Sequence, residues 1–285
     1  MTAPQSHPYF GQRAILTSKH EKVSLIQPEF LRALDLEVRE LPLDTDLLGT
    51  FSGEIERTAS PLETALKKAR LGMQASGISL GIASEGSIGA DPAMPLLTSD
   101  IELLVFVDDE RGLVISETFR SFDIFAGRKE FRSGDDISDF LSRVDFPNHH
   151  LIVLTEGANG LTSIKGIDNL EKLNESIEEI LAISPKGFVV IESDFRANHS
   201  PSRQVNIQAA AKQLANRVAT LCPECAAPGW GVVDYERGAE CSGCGDINPD
   251  IAHRETLGCV KCSALCPGKV INESIDPARC FGCNP

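Results

Sequence analysis

The sequence predicts an α/β protein: a mixed-sheet α/β domain over residues 1–220, followed by a small cysteine-rich module over residues 221–285. Two observations carry this. From Arg13 to about Val218, short β-rich runs alternate with stretches of helical periodicity, the pattern of a layered α/β domain. All nine cysteines then fall between Cys222 and Cys283, so their onset alone marks the boundary near Leu221.

Strands are expected at Arg13–Thr17, Leu36–Leu41, Leu80–Ala83, Ile101–Val107, Leu113–Phe122, Leu151–Thr155 and Gly187–Glu192, with Asp108–Gly112 as a hairpin turn. Helices fill the intervals. Ser60-Pro61-Leu62-Glu63 supplies an N-cap, a proline at the first helical position and the glutamate of a capping box, which opens a helix running to about Ser76. A second helix spans Asp168–Ile183. Ser200-Pro201 opens the last one, through Ala209-Ala210-Ala211 to about Val218.

With 42% apolar and 24% charged residues, the composition is that of an ordinary globular chain. No run of 18 apolar residues occurs, and Met1–Phe10 is too polar for a signal peptide, so a cytoplasmic protein with no membrane association is expected. The net charge of -14 repels phosphate backbones, which argues against strong nucleic-acid binding. No cysteine is available to cross-link the first 221 residues, so the cysteines serve a local purpose, and metal ligation explains them better than a disulfide framework.

Eight of the nine form Cys-x-x-Cys pairs: Cys222/Cys225, Cys241/Cys244, Cys259/Cys262 and Cys280/Cys283. Two intervening residues let both sulfurs of a tight knuckle face one tetrahedral ion, so four pairs make two structural Zn2+ sites of the zinc-ribbon type. The spacing favours pairing first with second and third with fourth; pairing first with third and second with fourth gives the same ligand list. An iron–sulfur reading also stands, because Cys259-Val-Lys-Cys262-Ser-Ala-Leu-Cys266-Pro267 looks like part of a ferredoxin motif. Cys266 is read as a spare thiol, and His253 is not needed as a ligand. Beyond Cys222 there are nine acidic and five basic residues, a surface that suits a protein partner or a structural role.

Three polar clusters follow expected strands, where open α/β sheets gather ligands. They are Thr17-Ser18-Lys19-His20-Glu21-Lys22, Ser84-Glu85-Gly86-Ser87, and Asp194-Phe195-Arg196-Ala197-Asn198-His199 with Arg203. Hydroxyls, cations and free N–H groups at a helix start suit a phosphate chain. His149 and His150 are read as strand-edge residues.

The clusters resemble, in order and spacing, those of the inosine-triphosphate pyrophosphatase superfamily, which removes noncanonical nucleoside triphosphates. That family's Thr-Gly-Asn-x-x-Lys is similar to Thr17 to Lys22, its Glu-Asn-Ala-x-x-Lys-Ala to Glu63-Thr64-Ala65-Leu66-Lys67-Lys68-Ala69, and its Ala-Asp-Asp-Ser-Gly-Leu to Ala83 to Ile88. Its closing Ser-His-Arg looks like Asn198-His199 with Arg203 displaced. The resemblance implies that Thr17 and Lys22 grip the phosphates, with Lys68 helping to neutralise them; Ser18 and Lys19 of the first cluster and Arg196 of the third are expected to bind the ligand from their place in those clusters. The resemblance also implies that Glu63 and Glu85 are catalytic, holding Mg2+ or Mn2+ and orienting water, and that His199 and Arg203 lie near the base or the outer phosphates. The expected function is a metal-dependent hydrolase of a phosphorylated small molecule, in the class of nucleoside triphosphates; the alternative is a noncatalytic nucleotide sensor whose zinc module docks a protein. The chain as a whole also resembles a bacterial domain-of-unknown-function family with a C-terminal zinc-ribbon-like module.

Overall fold

The computed structural model describes residues 6–19, 21–43, 59–157 and 160–284. A five-stranded mixed sheet is built from β1 (Arg13–Thr17), β2 (Glu37–Leu41), β3 (Leu80–Ala90), β4 (Thr98–Asp108) and β5 (Leu113–Ser121) in the order β2-β1-β3-β4-β5. The first three in that order are parallel and the last three form an antiparallel meander. Helix α1 (Val23–Leu34) joins β1 to β2, and α2 (Pro61–Ser76) precedes β3. The α1 face of the sheet buries Leu16, Ile82, Leu104 and Phe106 against Phe30 and Leu34, together with Ile207 and Leu214 of α5 (Pro201–Ala219). The opposite face buries Ala83, Val105 and Val107 against Ala65 and Ala69 of α2.

β1 ends at Thr17 and the chain leaves it for α1, whereas β3 runs on to Ala90 before turning back as β4, so the space beyond the carboxyl end of β1, the crevice between β1 and β3, lies beside the middle of β3. Open α/β sheets bind ligands beyond the carboxyl ends of their parallel strands.

A second, antiparallel sheet has the order β6-β9-β7-β8, from β6 (Arg128–Phe131), β7 (Leu151–Gly157), β8 (Gly160–Ile167) and β9 (Val189–Ser193). Helices α3 (Ser138–Arg143) and α4 (Leu170–Ile183) share one core with it, formed by Phe140, Leu151, Val153, Leu173, Ile177 and Ile191. The remaining strands, β10 (Gly231–Glu240), β11 (Ile247–Gly258) and β12 (Leu265–Val270), make a third sheet in that order. Among the described residues no helix is long and apolar enough to cross a membrane.

Two expectations change. Ser84-Glu85-Gly86-Ser87 is not a loop beyond β3 but part of it, with Glu85 opposite Leu103 and Gly86 opposite Glu102. Polar side chains are tolerated there because cations from other elements meet them, as described below. β6 and β8 also escape the pattern: both lie at sheet edges, β6 opens with the charged run Arg128-Lys129-Glu130, and β8 does not alternate in burial.

Close approach of α2 to β1 depends on Gly72, where a Cβ would collide with the Thr17 hydroxyl. Gly72→Ala is accordingly expected to lower unfolding free energy by about 1–3 kcal/mol despite its better helix propensity, because overpacking outweighs it. Urea denaturation checks this; a variant more stable than the parent would contradict it.

Candidate functional site

Charged side chains from α1, α2, β3, β4 and α5 converge at the crevice. Lys22, at the start of α1, is 6% exposed, and its Nζ donates to Ser84 Oγ at 2.9 Å. Burial pulls its ammonium down to about 8, with Arg203 adding repulsion and Glu102 and Glu85 opposing the shift. Lys68 of α2 pairs with Glu85 at 2.5 Å, and Arg203 of α5 pairs with Glu102 at 2.6 Å. Arg203 also donates to the Phe195 carbonyl. Gly86 makes room for this pair: a Cβ there would strike the guanidinium and lie 2.6 Å from Glu102 Oε1.

Asp100 and Glu102 occupy same-face positions of β4 and are both fully buried. Asn206 donates to Asp100 Oδ2 at 2.9 Å, whereas Asp100 Oδ1 and Glu102 Oε2 meet no N–H or hydroxyl donor among the described residues and the two carboxyls lie within hydrogen-bonding reach of each other. Burial first, then the Glu102 carboxylate, pushes Asp100 up to about 7. Two buried carboxyls this close can share a proton or a cation, but cannot both stay ionised at little cost.

The structure separates the sequence-predicted residues into groups. Lys22, Lys68, Glu85 and Arg203 come together. Thr17 turns its hydroxyl toward Gly72, and Lys19 is exposed. Ser18 is buried beside Glu40 of β2, whose carboxylate accepts the Lys22 N–H at 3.2 Å and so occupies the α1 N-terminus. His20 lies outside the described residues. Glu63 is exposed and its carboxylate accepts from the Ser60 N–H and hydroxyl at 2.9 and 2.8 Å, completing the cap of α2. Arg196 and His199 stand beside the second sheet: Arg196 grips Asp194 through Nε and Nη2, and His199 Nδ1 lies 2.5 Å from His150 Nδ1. Burial lowers the His199 pKa against the pull of Asp194.

Asp100, Glu102 and Asn206 escape sequence reading. A signal existed: Asp100, Glu102, Leu104 and Phe106 alternate onto one face, and carboxylates in register with core residues demand a buried cation.

The cysteine pairs form two quartets, Cys222/Cys225/Cys259/Cys262 and Cys241/Cys244/Cys280/Cys283, and within each all sulfurs lie within 4.8 Å of one another. Across the quartets, Cys222–Cys262 and Cys225–Cys259 are 3.8 and 3.6 Å apart, and Cys241–Cys283 and Cys244–Cys280 are 3.9 and 3.7 Å apart. A tetrahedral ion about 2.3 Å from each sulfur sets the edge of its tetrahedron at about 3.8 Å, so each quartet fits one ion. Disulfides, at about 2.05 Å, are excluded.

The pairing is interleaved, first pair with third and second with fourth, which corrects the sequential preference. The cause is β10: ten extended residues separate the first two knuckles by about 30 Å. Antiparallel pairing of Gly231 with Gly258 instead brings the third knuckle back beside the first. A parallel bridge between Cys241 and Ile275 leads the fourth to the second. Cys266 lies on β12, exposed and in neither quartet.

Two predictions follow from these geometries. Cys225→Ser and Cys259→Ser should each lower metal content from about two ions per chain to about one, and the double variant should stay at one; Cys225→Ser with Cys241→Ser should reach zero. Elemental analysis reads this, and the reverse pattern would restore sequential pairing. Asp100 is raised in the folded state above its unfolded value of about 4, so the native protein binds the extra proton between about pH 4 and 7. Its contribution to stability is full below that window and is lost as pH rises through 7. Asp100→Asn should flatten this part of a melting-temperature profile against pH; an unchanged slope would contradict the assignment.

No curated protein matches the chain. Residues 68–285, from within α2 through the last cysteine knuckle, match a family described as a domain of unknown function, DUF6671, and the chain belongs to that family.

Proposed function

We propose that this chain hydrolyses a phosphorylated small molecule, in the class of nucleoside triphosphates, at the crevice between β1 and β3, and that both quartets hold structural zinc. The observation that carries the first reading is the cluster of Lys22, Lys68 and Arg203 facing Glu85, Glu102 and Asp100 beyond the carboxyl end of β1. All three cations neighbour carboxylates. Phosphate oxygens can therefore take over the ammonium and guanidinium groups only if the released carboxylates gain a cation in return. Asp100 Oδ1 and Glu102 Oε2, which meet no N–H or hydroxyl donor among the described residues, fit a divalent ion chemically, because hard carboxylate oxygens are what Mg2+ and Mn2+ prefer. Mg2+ or Mn2+ would supply charge neutralisation on the phosphates. Lys22, Lys68 and Arg203 bind and orient the phosphate chain, and Glu85, released by Lys68, orients water. The resemblance of Thr17 to Lys22 and Glu63 to Ala69 to nucleotide pyrophosphatases supports the same ligand class.

A second reading, nucleotide binding without turnover, is favoured by two observations. Glu63, the carried-over partner of Glu85, is engaged in a cap, and Glu40 holds the α1 N-terminus. Quartets sized for single ions speak against an iron–sulfur cluster, and closed tetrathiolate knuckles are the usual structural zinc site, with a role in stapling the third sheet and presenting an acidic surface to a protein partner.

Purified protein should release phosphate or pyrophosphate from one or more nucleoside triphosphates with Mg2+ or Mn2+. Glu85→Gln should lower turnover by about two orders of magnitude, whereas Lys22→Ala should weaken binding about tenfold or more. Binding without metal-dependent turnover selects the sensor reading, and no binding to nucleotides or sugar phosphates rejects both.

A further inference from the structure

A second constellation adjoins the charge cluster, where the loop before β7 meets the start of α5. His149 Nδ1 lies 2.9 Å from Asp145 Oδ2, and His149 Nε2 lies 2.9 Å from Ser202 Oγ. The Ser202 backbone N–H also points at Nε2, at 3.1 Å. A backbone N–H can only donate, so Nε2 is the unprotonated nitrogen and Nδ1 carries the proton given to Asp145. That tautomer is the one a general base beside a serine requires.

The surroundings differ at the two ends. His149 is 4% exposed in its side chain and sits against the Phe125 ring, centroids 4.9 Å apart, away from the strand-edge position expected for it. Ser202 opens onto a cavity of about 530 Å3 lined chiefly by Phe119, Phe122, Phe125, Val205 and Asn206. Its size and mostly apolar wall, with few convergent polar groups, are those of a small-molecule site. Phe122, Phe125 and Val205 are exposed, a cost that a monomer's surface does not need for folding.

We infer that Asp145, His149 and Ser202 form an acyl-transfer triad that hydrolyses a carboxylic ester whose acyl or aryl group is apolar. Ser202 Oγ attacks the ester carbonyl carbon while His149 Nε2 takes the hydroxyl proton. The tetrahedral adduct expels the alcohol oxygen, which leaves with that proton, and the acyl group stays on Ser202. Water then attacks the acyl carbon with His149 again as base, releasing the carboxylic acid and restoring the serine. The Phe125 N–H donates to Ser202 Oγ at 3.3 Å and is the donor nearest to the developing oxyanion once that oxygen has bonded to the acyl carbon. The apolar wall and Asp123 at its margin disfavour anionic substrates.

The test uses the full chain as purified. A fluorophosphonate should give one adduct per chain, mapped by peptide mass to Ser202, and p-nitrophenyl butyrate should be hydrolysed. Ser202→Ala keeps the N–H that His149 accepts, so its fold should survive by circular dichroism while both labelling and hydrolysis are lost. Asp145→Asn should lower hydrolysis at least tenfold. A folded Ser202→Ala with undiminished esterase activity overturns the inference. So does absence of a Ser202 adduct under conditions that label a control esterase, and His149 is then only a cap for α5. Nucleotide hydrolysis should be unaffected by Ser202→Ala, which separates this result from the fate of the crevice reading.

Discussion

A helix approaches a sheet only as closely as its contact face allows. The buried face of α5 is built from Ala210, Ala211 and Ala215 between Ile207, Leu214 and Val218. Small residues let the backbone settle onto β4 and β5, and the polar contacts of the helix with those strands depend on that depth. Its first two turns deliver Arg203 and Asn206 to the buried carboxylates of Glu102 and Asp100. Its last turn carries Arg217 to Glu117 and the Ser116 carbonyl on β5 and to the Gly229 carbonyl ahead of β10. A larger residue at Ala211 would disturb the charge cluster and the approach to the metal centres together.

Burying so much charge is tolerable only because it is paired. Removing either member of a buried pair leaves the other stranded, at a cost well above that of the same change on the surface. Arg70 with Asp109 and Lys186 with Glu156, both largely exposed, contribute little by comparison. The pairs at the crevice thus specify one arrangement of four elements more than they add net stability.

Much of this architecture was legible in the sequence, for physical reasons that differ by element. α2 announced itself because Ser60, Pro61 and Glu63 each satisfy a backbone requirement of a helix start, and that same cap claims the carboxylate otherwise read as catalytic. α1 has no side-chain cap and carries Pro28 inside it, so local signals left it unmarked. The thiolate ligands were readable from spacing alone, but their partnership was not, because it is decided by the length of β10 and by strand pairing at a distance. Asp100, Glu102 and Asn206 stayed hidden for a related reason: strand alternation reports which residues share a face, and only the fold reports which cation waits there.

The interleaving of the knuckles carries a consequence for the chain as it leaves the ribosome. The first two knuckles emerge before either true partner exists, and a metal ion could gather them into a provisional quartet. An extended β10 is incompatible with that quartet, so pairing of β10 with β11 and closure of the two correct centres exclude the wrong partnership together. Metal binding and strand pairing thus become one coupled event, in which each correct centre holds the two ends of a long loop that neither strand pairing nor metal would close as firmly alone.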